Sequence, residues 1–259
     1  MNGTVYALYF SPTHTSRAVS RRAAQSLAEA LNLPFEEIDL TPPAARGKAY
    51  PFSAADIVVF GFPVYGGRIP ALLEDTLSLI EGNGAAAVPV AVYGNRAVED
   101  ALAEAADWLE ARQMTVIAAG SFIGEHSYTA KVGHARPDES DLSQAAAFGA
   151  AIAEKLGRGD RSPVAVPGNR PYKDRAPASP GAPVTADTCT KCGLCVTGCP
   201  MGVIDKDDPA KIAPGCIKCC ACVKVCPLGA KSFKDARVTA ITKMLELTCK
   251  KPKAPAWFV

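Results

Sequence analysis

No cysteine precedes Cys189, although the chain contains ten cysteines. A secreted protein that depends on disulfides would distribute its cysteines along a short chain. The sequence also lacks an apolar run long enough to cross a bilayer, and its first residues lack a basic flank followed by a hydrophobic core. These absences argue against a disulfide scaffold and a membrane-spanning protein, and they predict a cytoplasmic location.

Aromatic residues are scarce, at 7% of the chain, and the charges are distributed unevenly. Residues 1–157 contain 11 Lys/Arg and 18 Asp/Glu, whereas residues 184–259 contain 12 Lys/Arg and 6 Asp/Glu. A basic segment with so few aromatic residues does not favour nucleic-acid binding. The asymmetry predicts two domains of opposite charge that attract each other or attract different partners.

Apolar runs alternate with helical patterns through the first 157 residues. Runs without polar alternation are typical of strands that are buried on both faces of a parallel sheet. Such runs occupy residues 4–10, 55–61, 86–94 and 114–122, and residues 34–40 are a further strand candidate. With right-handed crossovers, this alternation predicts an α/β domain over residues 1–157 with a doubly wound, five-stranded parallel sheet.

A proline-rich segment and an internal repeat follow this domain. Residues 158–186 hold six prolines and three glycines, which predicts a semi-extended linker. Residues 189–204 and 216–231 then align without a gap, as two copies of one metal-binding module. Residues 187–259 are therefore interpreted as a small α+β domain with a C-terminal extension.

Each copy of the repeat reads C-x2-C-x2-C-x3-C-P, which supplies three thiolates from one tight loop to a [4Fe–4S] cluster. The fourth cysteine lies too far around the following turn and is expected to bind the other cluster. The predicted ligands are Cys189, Cys192, Cys195 and Cys226 for the first cluster, and Cys216, Cys219, Cys222 and Cys199 for the second. The alternative is a pair of zinc sites, but zinc prefers two CxxC pairs that are a dozen or more residues apart.

Two cysteines remain outside these ligand sets. Cys220 lies beside a predicted ligand and is interpreted as a small buried residue. No role is predicted for Cys249.

Three loops at the predicted carboxyl ends of strands contain candidate cofactor-binding residues. Ligands of open parallel sheets bind at these ends, where the strand order reverses. The hydroxyl-rich first loop can wrap a phosphate with its side chains and backbone N–H groups, although Ser and Thr also cap helices routinely. The candidates are Ser11, Thr13, His14, Thr15, Ser16 and Arg17 in the first loop, Pro63, Val64, Tyr65, Gly66 and Gly67 in the second, and Tyr93, Gly94, Asn95 and Arg96 in the third.

The segment 122–128 follows the fifth predicted strand. It is expected either to cover the same site or to form a surface loop with a satisfied histidine. A G-x-G sequence at residues 82–84 precedes a strand instead of following one, so a nicotinamide site is not predicted.

These motifs resemble two known proteins in succession. The first loop resembles the T/S-x-T-x-x-T phosphate loop of flavodoxins, and the repeat resembles a bacterial two-cluster ferredoxin. With the segments PVYGGRIP, VYGNR, FIGEHSY and CIKCCACVKVCP, the chain resembles the flavodoxin–ferredoxin fusion proteins of anaerobes. The resemblance implies a flavodoxin-like sheet of order 2-1-3-4-5, FMN between the second and third loops, two [4Fe–4S] clusters, and electron transfer without a defined substrate.

The expected function is that of an iron–sulfur flavoprotein, which passes single electrons between two clusters, FMN and redox partner proteins. One alternative is an FMN-dependent reductase of a small substrate, fed by its own ferredoxin domain. Tyr65, Tyr93, Glu125 and His126 are then the available proton donors, and the sequence singles out none of them as catalytic. A further alternative is a first domain that binds no flavin and only docks the ferredoxin to a partner.

Overall fold

A computed structural model of the chain describes residues 2–177 and 181–259. Residues 178–180 of the predicted linker lie outside this range. The strands are β1 (Val5–Tyr9), β2 (Phe35–Asp39), β3 (Tyr50–Pro51), β4 (Ile57–Pro63), β5 (Ile80–Glu81), β6 (Ala86–Tyr93), β7 (Thr115–Val116), β8 (Ala119–Ile123), β9 (Val184–Thr185), β10 (Lys231–Ser232) and β11 (Ala256–Phe258). The α-helices are α1 (Thr15–Leu31), α2 (Leu73–Ser78), α3 (Ala101–Glu110), α4 (Glu139–Gly157), α5 (Leu194–Thr197), α6 (Ala221–Val225) and α7 (Ala236–Thr248). Among the described residues, no helix has both the length and the apolar character that a membrane span requires.

The first domain is built on a parallel sheet in the order β2-β1-β4-β6-β8. These are the five predicted strands, so the order 2-1-3-4-5 and the flavodoxin-like fold are confirmed. β6 lies near the centre of the sheet, and all eight of its residues are buried. Its unbroken apolar sequence is the pattern expected for a strand that is covered on both faces.

Helices cover both faces of this sheet. On one face, α1 and α4 pack around a core that includes Leu27 and Phe148. On the other face, α2 and α3 contribute Leu73 and Leu102 to a second core. The two layers leave the carboxyl ends of the strands to the connecting loops, which is where a ligand binds in this type of sheet.

The C-terminal tail adds a strand to the first domain that the sequence analysis did not predict. β11 pairs antiparallel with β8, and Trp257 lies opposite Gly120. The Trp257 ring stacks on Phe122, with ring centroids 6.2 Å apart. The chain therefore leaves the first domain, forms the second, and returns to the edge of the first sheet.

The proline-rich segment lies along the first domain and is attached to α3. Arg170 pairs with Asp107 on that helix. Arg175 pairs with Glu104, a side chain that is 1% exposed, through Nη2 and Oε1 atoms 2.6 Å apart. Residues 158–177 thus form an extended strap bound to the protein surface.

The second domain is small and is organised by its cysteine loops. β9 and β10 form an antiparallel pair, so Val184 and Thr185, which fall within the predicted linker range, belong structurally to this domain. The short helices α5 and α6 each follow a residue with positive φ, namely Gly193 and Cys220. These tight turns bring successive cysteines of one repeat to the same side of the chain.

Candidate functional site

The eight predicted ligands line two separate cavities in the second domain. The first cavity is lined by Cys189, Cys192, Cys195 and Cys226, and the second is lined by Cys199, Cys216, Cys219 and Cys222. Three cysteines of one repeat thus share each cavity with the fourth cysteine of the other repeat. This exchange occurs because α5 and α6 carry each fourth cysteine away from its own loop.

The two cavities differ in their exposure to solvent. Cys192 of the first cavity is exposed, whereas Cys219 and Cys222 of the second are each only 9% exposed. Burial raises the pKa of the Cys219 thiol to about 12 and that of Cys222 to about 11. The second cavity is therefore an interior site, and the first lies at the protein surface.

Backbone N–H groups point at sulfur atoms of the first cavity. The Ala230 N–H donates to the Cys226 sulfur over 3.2 Å, and the Lys191 N–H donates to the Cys189 sulfur over 3.4 Å. Burial opposes the shift, yet the N–H groups of residues 228–231 lower the pKa of Cys226. Hydrogen bonds to sulfur stabilise thiolates and are one of the factors that set the potential of an iron–sulfur cluster.

A cleft of about 570 Å³ lies at the carboxyl ends of the strands in the first domain. This volume falls within the range of cofactor pockets. Of the predicted residues, the cleft is lined by Thr13, Thr15, Pro63, Val64, Tyr65, Gly66, Tyr93, Gly94 and Arg96. The structure thus brings parts of all three predicted loops around one space.

Hydrogen bonds within the hydroxyl-rich loop and to Thr41 fix its conformation. The Ser11 hydroxyl accepts from the Arg17 N–H over 3.0 Å, and the Ser11 N–H donates to Thr41 Oγ1 over 2.8 Å. His14 adopts a positive φ of 66°, which turns the chain into α1. The Ser16 hydroxyl is fully buried and has no hydrogen-bond partner within the described residues. A buried hydroxyl without a partner is the kind of group that a bound phosphate would satisfy.

Six of the predicted cofactor-binding residues do not line the cleft: Ser11 and Ser16, described above, and His14, Arg17, Gly67 and Asn95. Arg17 pairs with Glu37 over 3.3 Å, and His14 faces a crevice beside Cys199. A Cβ at Gly67 would meet the Glu99 carboxylate, so the backbone fits closely there. Asn95 is buried and holds the C-terminal tail. Their role in cofactor binding stays a prediction.

The wall between the cleft and the interior cysteine cavity is thin. Cys219 lines both spaces, together with its neighbours Ile217 and Lys218. Tyr65 lies against this wall, and burial raises its pKa well above the ordinary value, with the Cys219 and Cys220 thiols adding to the shift. Cys220 is 2% exposed, as expected for a small buried residue.

The sequence analysis did not find one side of this cleft. The residues on that side come from the strap and from the second domain, and they include Lys173, Pro177, Val238, Ile241, Met244 and Leu245. The last four lie on α7. The apolar spacing in this helix was a usable signal, but only the fold shows that the helix reaches the first domain.

His126, in the loop after β8, also lines the cleft. Its ring packs against Gly94, where a Cβ would lie 2.5 Å from the imidazole. Its Nδ1 accepts the Tyr128 N–H over 3.1 Å, so that nitrogen carries no proton. The segment 122–128 therefore forms a wall of the cleft.

We expect the His126 imidazole to be uncharged between about pH 6 and about pH 8. Burial lowers its pKa to about 4, and the charges of Lys224 and Arg96 act in the same direction. A histidine whose pKa is lowered to that value is uncharged at any pH well above 4. An NMR titration of the imidazole nitrogens between about pH 6 and about pH 8 checks this. A titration midpoint near the ordinary histidine value would contradict it.

Comparison with known protein families finds a match within the second domain. Residues 188–231 match the family described as 4Fe-4S dicluster domain. No curated protein matches the chain. Among solved structures, an archaeal flavodoxin is 15% identical, covers 60% of this chain and 99% of its own, and gives a TM-score of 0.41.

Two further structures cover the same part of the chain. An azoreductase from Bacillus anthracis is 16% identical, covers 60% of this chain and 100% of its own, and has a TM-score of 0.40. Flavodoxin 2 from Bacillus cereus is 16% identical, covers 59% of this chain and 99% of its own, and has a TM-score of 0.37. The fold of the first domain is established by its own strand order.

Proposed function

We propose that this chain, which joins a flavodoxin-like domain to a 4Fe-4S dicluster domain, passes single electrons between two [4Fe–4S] clusters and an FMN bound in the strand-end cleft. One observation carries the proposal: Cys219 borders both the interior cysteine cavity and the cleft. A redox centre in each space would be separated by little more than one side chain.

The donor sets fit the proposed centres. Four cysteine sulfurs around each of two cavities are the ligands that two cubane clusters require, and no other ligand type is needed. We assign Cys189, Cys192, Cys195 and Cys226 to the first cluster and Cys216, Cys219, Cys222 and Cys199 to the second.

The cleft fits FMN at both ends. Thr13 and Thr15 on the cleft wall support binding of the phosphate at the start of α1. The unpartnered Ser16 hydroxyl belongs to the same turn, although it does not itself line the cleft. Tyr65 and Tyr93 border the cleft on adjacent loops, where aromatic rings can pack against a flat ring system. A flavin accepts one or two electrons, whereas a cluster exchanges one, so a chain with both can collect single electrons.

The exposed cavity is the proposed entry point for electrons from a redox partner protein. Cys192 is exposed there, and the cavity mouth carries Leu194 and Leu228, which are 45% and 52% exposed. The interior cavity then forms the middle of the route, since α5 carries Cys195 of the first set and the turn after it carries Cys199 of the second. The route would run from the surface through the second cluster to the cleft.

Polar contacts between the domains keep this route short. Thr129 donates to Glu246 of α7 over 2.7 Å, and Lys131 pairs with the same carboxylate over 3.2 Å. Lys224 of α6 pairs with Glu125 beside the cleft. These contacts hold the interior cavity against the cleft, so that electrons need no domain movement to pass.

Thr13→Asp tests the flavin site. A carboxylate at this position would repel the FMN phosphate, and we expect at least a hundredfold loss of FMN affinity, or about 2.7 kcal/mol. Flavin fluorescence after denaturation, relative to protein and iron, measures the loss. Ser78→Asp, on an exposed position of α2 outside the cleft lining, should keep both the flavin and the iron.

Two results would contradict the flavin proposal. The first is a wild-type chain that releases no flavin when denatured after reconstitution, which would favour a first domain that only docks. The second is a Thr13→Asp protein that keeps its FMN. In either case the iron content would still report on the cluster assignment separately.

A further inference from the structure

Arg46 belongs to the first domain, in the turn after the 3-10 helix of residues 43–45, but it reaches into the second domain. Its Nη2 donates to the Pro200 carbonyl, which follows the predicted cluster ligand Cys199. Its Nη1 donates to the carbonyls of Leu40 and Thr41 over 2.9 and 2.8 Å. The guanidinium is therefore fixed by three carbonyl oxygens from both domains.

The charge of Arg46 has no carboxylate partner. Within residues 2–177 and 181–259, Arg46 forms no ion pair, whereas Arg68, Arg136 and Arg175 each pair with a carboxylate. Asp39 lines the nearby crevice with Cys199, but its carboxylate accepts the Thr41 N–H over 2.7 Å. Arg46 is half-buried, so solvent screens its charge less than the charge of an exposed arginine.

Cys199 directly precedes the Pro200 carbonyl that Arg46 contacts, and its thiolate would be an anionic group on that side of the guanidinium. Burial lowers the pKa of Arg46, and the Cys199 thiolate is the charge that opposes this effect. An iron–sulfur cluster held by four thiolates carries a net negative charge that increases by one unit on reduction. A fixed positive charge beside the cluster therefore stabilises its reduced state more than its oxidised state.

We infer that Arg46 sets the reduction potential of the interior cluster, by placing an uncompensated positive charge beside Cys199. Reduction adds one electron to the cluster site while Arg46 keeps its proton and all its hydrogen bonds. The charge thereby favours electron flow from the exposed cluster to the interior one. This inference rests on the proposed cluster assignment and does not require the flavin.

Arg46→Gln tests the inference in the reconstituted full chain. Two cluster midpoint potentials are measured by anaerobic redox titration with EPR detection. We expect the midpoint potential of the interior cluster to fall by at least 59 mV, which is a tenfold change in the equilibrium constant of a one-electron reduction. The midpoint potential of the other cluster should not change. Arg46→Lys should retain most of the wild-type potential, because it keeps the charge.

Controls separate the charge from a general structural effect. Arg161→Gln removes an exposed arginine that contacts the Ala54 carbonyl, and it should move neither midpoint. Pro42→Lys adds a positive charge to the crevice that contains Cys199. It should raise the midpoint potential that Arg46→Gln lowers. This variant tests the inference even if Arg46→Gln binds iron poorly. Unchanged midpoint potentials in both Arg46→Gln and Pro42→Lys would overturn the inference. A fall in midpoint potential that is as large in Arg46→Lys as in Arg46→Gln would also overturn it. A failed flavin proposal would leave these cluster midpoints measurable.

Discussion

Replacing Cys199 by alanine is expected to remove the interior cluster, although Cys199 belongs to the first repeat. Its sulfur lines the same cavity as the first three cysteines of the second repeat. A cubane that loses one of its four thiolate ligands either loses one iron or is lost entirely, so the [4Fe–4S] signal of that cluster should disappear and iron should fall from about eight to between about four and about seven atoms per chain. Iron analysis and EPR of the reduced protein measure this change.

The matching variant Cys226→Ala should remove the exposed cluster and retain the interior one. If each fourth cysteine served its own repeat instead, the two variants would exchange their effects. Cys249→Ala serves as the control, since Cys249 lines neither cavity. This variant should keep all the iron of the wild-type protein. The EPR spectra of Cys199→Ala and Cys226→Ala should therefore differ, because each reports the cluster that the other lacks.

The functional consequence of the two variants should be equally large. Without the interior cluster, the exposed cluster has no nearby acceptor, and we expect flavin reduction by a cluster-specific donor to slow by at least a hundredfold. Without the exposed cluster, the interior site is 9% exposed at Cys219 and at Cys222 and meets external donors poorly. Wild-type rates of flavin reduction in either variant would contradict the proposed route.

Asn95→Ala is expected to release the C-terminal tail from the first domain. The Asn95 side chain is 2% exposed and makes three hydrogen bonds to that tail. Its Nδ2 donates to the carbonyls of Cys249 and Lys251 over 2.8 and 3.0 Å, and its Oδ1 accepts the Lys253 N–H over 3.0 Å. At about 1 kcal/mol each, these bonds contribute about 3 kcal/mol to holding the tail in place.

Limited trypsin digestion measures the release of the tail, because the cleavable residues Lys250 and Lys253 lie within it. We expect cleavage there to accelerate about a hundredfold in Asn95→Ala, in line with the free energy of the lost bonds. Flavin reduction through the interior cluster should also slow, since α7 and β11 anchor the second domain to the cleft.

Asn83→Ala is the matched control. Both asparagines adopt a positive φ, 57° at Asn95 and 45° at Asn83, so alanine introduces similar backbone strain at each position. The Asn83 side chain contacts the Phe52 carbonyl and has no contact with the tail. Equal digestion rates in the two variants would show that strain alone releases the tail.

The sequence was sufficient to predict the sheet and the cysteine loops, because both depend on patterns within short segments of the chain. The four inner strands β1, β4, β6 and β8 are largely apolar, whereas the edge strand β2 carries three acidic residues; β6 remains buried even with a proline at position 89. The strand ends then place Tyr65 and Tyr93 at one edge by the general rule for parallel sheets.

Contacts between distant segments could not be predicted from local patterns. β11 has three residues, too few for a strand signal, and its pairing with β8 depends on where α7 directs the chain. Asn95 was assigned to the flavin from its place in a strand-end loop, yet its hydrogen bonds join it to residues more than 150 positions away. Arg46 likewise contacts Pro200 only because the two domains dock.

The central claim is that electrons reach the flavin through the cluster domain of the same chain. Its most direct test is rapid photochemical reduction of the clusters under anaerobic conditions, with flavin absorbance followed over a tenfold range of protein concentration. We predict a first-order loss of flavin absorbance whose rate does not change with protein concentration. A rate that rises in proportion to concentration, or a flavin that stays oxidised while both clusters are reduced, would contradict the account.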